Sequence, residues 1–315
     1  MAIIALSGSR GFIGQPLQRA LQERGHEVRA LRRPGQNGAS TANHAIDSGN
    51  APTILFDPVG GKVDARALAE CDAVIHLAGA SVAQRWTPSV REAIMASRRD
   101  GTAALAAAIV KSGKNLPVVS ASGIGLYGDA GEAWLDEQSP RGAGFLADVV
   151  EAWEAPWVNF PSSVSAVRLP MVVHPSGGAL VPILRAVRWG VAGPVGNGQQ
   201  WQSWIARSDA VGLFVWLVEQ QLQGHDVPAQ VNAVSAEVLR QRDFITVLAQ
   251  AWRRPSFMPL PAFAVRLLFG AMGQELLLSS ARVRSEVLPG LEWQLQWPAL
   301  APLAAAWVNG QASES

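Results

Sequence analysis

Short apolar runs alternate with amphipathic stretches along the first two thirds of the chain, and this alternation predicts the fold. Ala2 to Leu6 is an apolar run of the kind that forms a strand buried on both faces. Ile13, Leu17, Ala20 and Leu21 then recur at helical spacing, and Gly25 stops that helix as a C-terminal cap. Further strands are predicted over His26 to Leu31, Thr53 to Phe56, Ala73 to Leu77, Leu116 to Ser120, Val164 to Leu169 and Gln230 to Val234. Helical patterns separate several of them, over Asp64 to Glu70, Pro88 to Ile109 and Phe145 to Trp157. Strands joined by helical crossovers imply an α/β fold, a Rossmann-type, doubly wound, mainly parallel sheet of about seven strands.

The pattern changes after Pro170. Loops rich in glycine and proline, Pro175 to Gly178 and Gly190 to Gly198, flank a helix over Leu180 to Arg188. From Ser235 onward, short helices and prolines predict a lid over the carboxyl edge of the sheet. The expected division is a Rossmann domain over 1–169, with 205–235 returning to the sheet. A smaller α/β C-terminal substrate domain is built from 170–204 and 236–315. Tryptophans concentrate in this half. Trp201 and Trp204, beside glycine loops, are the candidates for lining a ligand cleft, and the others are read as packing.

Between the first strand and the first helix stand Gly8, Gly11 and Gly14, and strand, glycine turn and helix in succession form a dinucleotide fingerprint. Gly8 permits the tight turn, Gly11 lets the backbone approach a pyrophosphate, and Gly14 lets helix and strand pack closely. Ser9, Arg10, Phe12 and Ile13 complete the turn, and the helix N-terminus offers unpaired N–H groups to an anion. Pro16 is compatible with this only inside the first helical turn. The second strand ends on Arg32 and Arg33 instead of an acidic residue. With Arg10 they favour the 2′-phosphate, hence NADP(H) over NAD(H), a solvated basic turn being the competing reading. Residues 34–52 are polar, without periodicity, and are read as a mobile loop beside the adenosine end. Asp57 is placed at the adenine edge, and Leu77, Ala78, Gly79 and Ser120 along the cofactor's path. Arg85 and Trp86 are candidates for meeting an anionic substrate or the cofactor's phosphates, against an ordinary surface arginine.

Composition narrows the classes. The 315 residues include one cysteine, Cys71, which excludes an intramolecular disulfide and fits a reducing cytoplasm. The net charge of +1, with no basic run, argues against nucleic acid as a partner. The five histidines are scattered without ligand spacing, so no metal site is expected. No apolar run approaches the roughly 18 residues of a membrane span, and the start enters a strand without a basic leader. The expected partner is a small-molecule substrate, with no membrane and with a homodimer left open.

Five segments in order, SGSRGFIGQPL, HLAGASVAQRW, SRRDGT, SASGIGLYG and WQSWIARSDAV, resemble the extended short-chain dehydrogenases/reductases. More narrowly, the chain resembles their atypical nucleotide-sugar epimerase branch, through PAFAVRLLFGAMG and LEWQLQWPAL in the small C-terminal domain. The resemblance implies a nicotinamide cofactor and, in the wider superfamily, a Tyr-x-x-x-Lys pair for proton transfer. Ser122 matches the substrate-orienting serine. The pair itself is absent: Tyr127 is the only tyrosine, Gly131 stands four residues later, and the helix that should carry the pair reads Phe145-Leu-Ala-Asp-Val-Val150. Ser122 and Tyr127 remain the candidate proton-handling groups, with Tyr127 packed under its loop as the alternative. Glu154 is read as a structural ion-pair partner, and Asp209 as a structural acid. The expected activity is that of an oxidoreductase or epimerase on a nucleotide-sugar-like or small carbonyl or hydroxyl substrate. The alternative is a non-catalytic NADP(H)-binding protein that senses redox state or binds partners.

Overall fold

The computed structural model describes residues 1–33, 53–58 and 60–311. The polar loop 34–52 lies outside the described residues. The central sheet contains β1 (Ile3–Ser7), β2 (Glu27–Arg32), β3 (Thr53–Asp57), β4 (Lys62–Val63), β5 (Ala73–His76), β6 (Val118–Gly123), β7 (Val164–Leu169) and β8 (Gln230–Asn232). Their order is β8-β7-β6-β5-β1-β2-β3-β4, parallel throughout except for the β3–β4 pair. The eighth strand, β4, is two residues long, too short to leave a periodic signal. The strand expected at Leu116 to Ser120 instead runs on to Gly123, and Ala121, Ser122 and Gly123 pair with Val167, Arg168 and Leu169. These small residues have little strand propensity of their own, and the neighbouring strand imposes the conformation.

Both faces of the sheet are covered. Ile4 and Leu6 of β1 face a core shared with Leu17 and Leu21 of α1 (Gly14–Glu23). Ala5, between them, faces a second core with Leu68 of α2 (Ala65–Ala69) and Leu105 and Ile109 of α3 (Pro88–Ser112). The period-two alternation of a strand thus feeds two apolar layers, which is why β1 reads as a continuous apolar run. Pro16 is the third residue of α1, where a missing N–H costs nothing. In α3, Thr87 accepts a bond from the Val90 amide and Gly113 turns left-handed at φ 73° to end the helix. α4 (Phe145–Glu154) tightens into a 3-10 turn over Ala155–Trp157, where Pro156 removes an amide donor.

The second half of the chain adds α5 (Leu180–Arg188), α6 (Arg207–Leu222), α7 (Gln241–Ala251), α8 (Ala262–Gly273) and α9 (Leu300–Val308). α6 packs in the first core and leads into β8. α5, α7 and α9 bury a core of their own around Trp204. Asp209, buried at the start of α6, accepts the Gln296 amide at 2.8 Å and the Trp297 amide at 3.0 Å, tying the C-terminal segment to the sheet.

A buried polar chain locks the ends of β1 and β5 together. The Ser7 hydroxyl accepts the Leu77 and Ala78 amides at 3.0 and 3.2 Å, so its own proton goes to His76 Nδ1 at 2.7 Å. The His76 ring then carries its proton on Nε2, facing Thr102 Oγ1 at 3.2 Å. Complete burial, helped by the Arg98 charge, pushes the His76 pKa down to about 4. Between pH 6.5 and 4 the unfolded chain therefore takes up a proton that the folded chain refuses, and stability falls with pH across that window by up to about 3 kcal/mol. Thermal melts from pH 7 to 4 should show this fall, and His76→Gln should make it shallower. Identical slopes would show that His76 is not held neutral.

Candidate functional site

The parallel register gathers the strand ends on one edge. Ser7 pairs with Leu31 on one side and His76 on the other, Arg32 pairs with Leu55, and His76 pairs with Ser120. Strand order reverses between β1 and β5, so a crevice opens there beyond the carboxyl ends. Ser9, Arg10, Asp57, Leu77, Ala78 and Gly79 all lie in segments that leave this edge.

The glycine turn fills the base of the crevice. Gly8 adopts φ +71°, and a Cβ there would lie 3.0 Å from the Leu77 carbonyl carbon and 3.1 Å from the Ala78 nitrogen. A Cβ on Gly14 would lie 2.1 Å from the Gly8 oxygen, an impossible contact. Gly11 differs: its Cβ would meet only the Gly8 oxygen, at 3.1 Å, and otherwise open space. No side chain caps the N-terminus of α1. Gly8 and Gly14 are thus required by the protein's own packing, whereas the space beside Gly11 is open. A backbone cradle with an uncapped helix behind it fits the pyrophosphate of a dinucleotide.

Phe12 turns away from that cradle. Its ring lies under Gly177 and Gly178, where added Cβ atoms would come within 2.5 and 3.0 Å of it, and the Arg207 guanidinium sits 5.2 Å above. The side chain clamps the turn to the loop before α5, leaving the backbone to face a ligand. Arg32 is half-buried at the end of β2, Arg33 is exposed, Ser120 is buried within β6, and Asp57 Oδ1 accepts the Gly60 amide at 3.1 Å.

Arg98, in the SRRDGT segment of α3, also belongs to this candidate site. Its guanidinium lies along Gly79, where a Cβ would sit 3.0 Å from Cζ. It donates to the Ala80 oxygen at 2.9 Å and the Ile94 oxygen at 3.3 Å, over the Trp153 ring at 4.7 Å. No carboxylate pairs with it among the described residues. Burial pushes its pKa down to about 10, which leaves it charged at neutral pH. A sequence signal existed: Ile94, Gly101 and Leu105 mark a buried helical stripe, and Arg98 is the charge on it.

Ser122 and Tyr127 are brought together, but inside a closed network. The Ser122 hydroxyl donates to Glu154 Oε1 at 2.5 Å. Arg168 donates to both Glu154 oxygens, at 2.9 and 2.8 Å, and to the Tyr127 hydroxyl at 3.1 Å. Tyr127 in turn donates to Asn232 Oδ1 at 2.8 Å. Ser122, Tyr127 and Arg168 are all buried. Burial raises the Tyr127 pKa, with Arg168 and Asn232 offsetting part of the shift. The Arg168 guanidinium stays firmly charged despite burial, because Glu154 holds it.

The four candidate substrate residues separate. Arg85 is exposed. Trp86 donates to the Val82 oxygen at 2.9 Å and packs edge-on against Phe145 at 4.9 Å, at the first turn of α4. Trp201 donates to Glu132 at 3.1 Å, and the guanidinium groups of Arg240 and Arg282 lie 3.8 and 3.9 Å from its ring. Trp204 does not line a cleft. It is fully buried in the core of the second half, because its strand pairs with Met171–Val173 and turns the indole inward.

A doubly wound sheet with a glycine cradle at its order reversal defines a dinucleotide-binding protein of the extended short-chain dehydrogenase/reductase type. Residues 4–143 match the NAD dependent epimerase/dehydratase family. An epimerase family protein of Mycobacterium bovis is 30% identical over 286 residues, covering 89% of each chain. The human epimerase family protein SDR39U1 is 29% identical over 305 residues, covering 94% of this chain and 96% of its own. A crystal structure of human SDR39U1 (isoform 2) with NADPH superposes with a TM-score of 0.80 at 26% identity, over 98% of this chain and 99% of that one. The UDP-N-acetylglucosamine 4-epimerase of Bacillus cereus shares the fold, with a TM-score of 0.74 at 15% identity over 99% of both chains. The chain belongs to the NAD(P)-dependent epimerase family, among the proteins similar to SDR39U1.

Gly11 and Gly14 should fail differently when substituted. Gly14→Ala should lower the melting temperature of the cofactor-free protein, since backbone must move. Gly11→Val should leave that temperature nearly unchanged and weaken dinucleotide affinity at least a hundredfold. A folded Gly11→Val protein with unaltered affinity would remove the cradle from the site.

Proposed function

We propose that the protein binds NADP(H) in preference to NAD(H) and works in the cytoplasm as an oxidoreductase or epimerase. Its substrate is a small carbonyl or hydroxyl compound or a nucleotide-sugar-like molecule. The observation that carries this reading is the glycine cradle, with Gly11 open toward the crevice at the order reversal. The NADPH in the human relative's structure supports it. When bound, the nicotinamide supplies reversible hydride chemistry. The chain's own residues do the rest. Backbone amides of the turn hold the pyrophosphate, Arg10, Arg32 and Arg33 select the 2′-phosphate, and Arg98 adds positive charge beside Gly79. Arg85, Trp86 and Trp201 remain on the substrate side of the proposal.

Ser122 and Tyr127 are the groups proposed to move a proton, and both start from a disadvantage. The Ser122 proton is committed to Glu154, and burial moves Tyr127 away from a useful pKa. General acid–base catalysis contributes roughly 10²–10⁴-fold when the pKa suits the working pH, so turnover should be slow by about that factor. The same network favours a second reading, a cofactor-binding protein that reports the NADPH/NADP ratio without turnover.

Calorimetric titration separates cofactor choice from chance. NADPH should bind more tightly than NADH, and replacing Arg32 and Arg33 together with alanine should cost NADPH roughly tenfold to a hundredfold, as loss of charge-assisted bonds does, while sparing NADH. Equal affinities would end the preference. A single-turnover absorbance assay of bound NADPH against a panel of carbonyl compounds tests chemistry. Slow oxidation that Ser122→Ala reduces supports the enzyme, and none at all supports the sensor.

A further inference from the structure

We propose that α8 and the loop packed beside it form a docking face for an anionic lipid surface, an inference independent of the cofactor reading. α8 (Ala262–Gly273) is almost wholly apolar, yet Val265 and Gly273 are its only buried residues. Phe263 is 72% exposed and Leu267 75%, with Leu268 beside them. The face extends beyond the helix. The Met258 amide donates to the Ala192 oxygen at 3.3 Å and the Leu260 amide to the Pro194 oxygen at 2.9 Å, so the strand-like segments around them run side by side. That pairing sets Trp189 (78% exposed) and Val191 beside the segment of Phe257 and Met258, which leads through Leu260 and Pro261 into α8. Soluble monomers rarely leave so many large apolar side chains exposed on neighbouring segments.

Charge identifies the occupant. No aspartate or glutamate occurs from residue 155 to 208 or from 244 to 274, the two stretches that build this face. The same stretches carry Arg185, Arg188, Arg253, Arg254 and Arg266, all exposed and none in an ion pair among the described residues. Glu275, just after α8, is turned inward and accepts the Phe145 and Leu146 amides at 3.0 and 2.9 Å, so it does not offset this charge. Exposed aromatic and aliphatic side chains that can enter the acyl boundary, with arginines on the same segments to meet headgroup phosphates, are what an interfacial helix needs. A second copy docking through the same face about a two-fold axis would set arginines against arginines. No helix among the described residues is long and apolar enough to cross a membrane, and lying on a surface requires none.

The test is co-sedimentation of the full chain with vesicles of phosphatidylcholine containing phosphatidylglycerol, and with phosphatidylcholine alone. Binding should be at least tenfold stronger to the anionic vesicles and should weaken as salt rises. Phe263→Glu with Leu267→Glu should abolish it. Arg188→Gln with Arg254→Gln, which leave the apolar face intact, should weaken it roughly fivefold per arginine at an unchanged melting temperature. The proposal is overturned by absence of binding to anionic vesicles, or by binding that neither pair of substitutions alters. It is equally overturned if light scattering shows a dimer that the glutamates disperse, with no vesicle binding, because the face would then belong to a second copy.

Discussion

The contact on which the structure depends is the wedging of the glycine turn between the end of β5 and the first turn of α1. Gly8, left-handed at φ +71°, has the backbone of Leu77 and Ala78 just after β5 tight against it, and Gly14 has Gly8 against it at a distance that admits no side chain. Because β1 and β5 are neighbours at the order reversal, this contact sets how closely strand and helix approach there. The Ser7–His76–Thr102 chain reinforces it from below with buried hydrogen bonds, each satisfied at both ends. What remains on the outer side is bare backbone and the uncapped start of α1. The packing requirement thus falls on Gly8 and Gly14, and the space beside Gly11 is left open.

A second constraint spans the carboxyl ends of β6, β7 and β8. Arg168 and Glu154 form a largely buried ion pair, and removing either partner would strand a charge at a cost of roughly 3–5 kcal/mol. Ser122 and Tyr127 make further bonds to that pair, and Asn232 accepts from the Tyr127 hydroxyl. The Asn232 amide donates to Glu137 and its side chain to the Arg284 oxygen, while Glu137 also accepts from the Ser285 hydroxyl and the Glu286 amide. One network therefore joins the sheet, the loop after β6 and the C-terminal segment. Ser122 and Tyr127 are occupied with holding those parts together.

Trp134, Trp201 and Trp204 occupy two different environments. Trp204 is enclosed by α5, α7 and α9, whereas Trp134 and Trp201 lie at the surface with the Arg282 guanidinium 3.9 Å from each ring. Stacking on indole gives the arginines a position without a full ion pair, since a guanidinium is weakly hydrated and planar. Arg240 adds a bond to Glu132, which also holds the Trp201 indole. These contacts bind the loop after β6 to the strands of the second half.

Local pattern determined a great deal of this protein. Strand β1, the glycine turn and α1 follow from periodicity and three glycines, and so do the parallel sheet and the long α3. The family's motifs, and the absence of Tyr-x-x-x-Lys, are also matters of residue identity and spacing. Tertiary structure decided what depends on direction and on partners distant in the chain. Whether Trp204 faces a cleft or a core depends on its pairing with Met171–Val173, which no local pattern contains. Phe12 lies under glycines more than a hundred and sixty positions away, so its role is invisible within the turn itself. Arg98 acquires its meaning from Gly79 across a strand end, and Tyr127 from Asn232 and Arg168. Residue type and spacing encode which elements form, but burial and hydrogen bonding are properties of neighbours, and only folding chooses the neighbours.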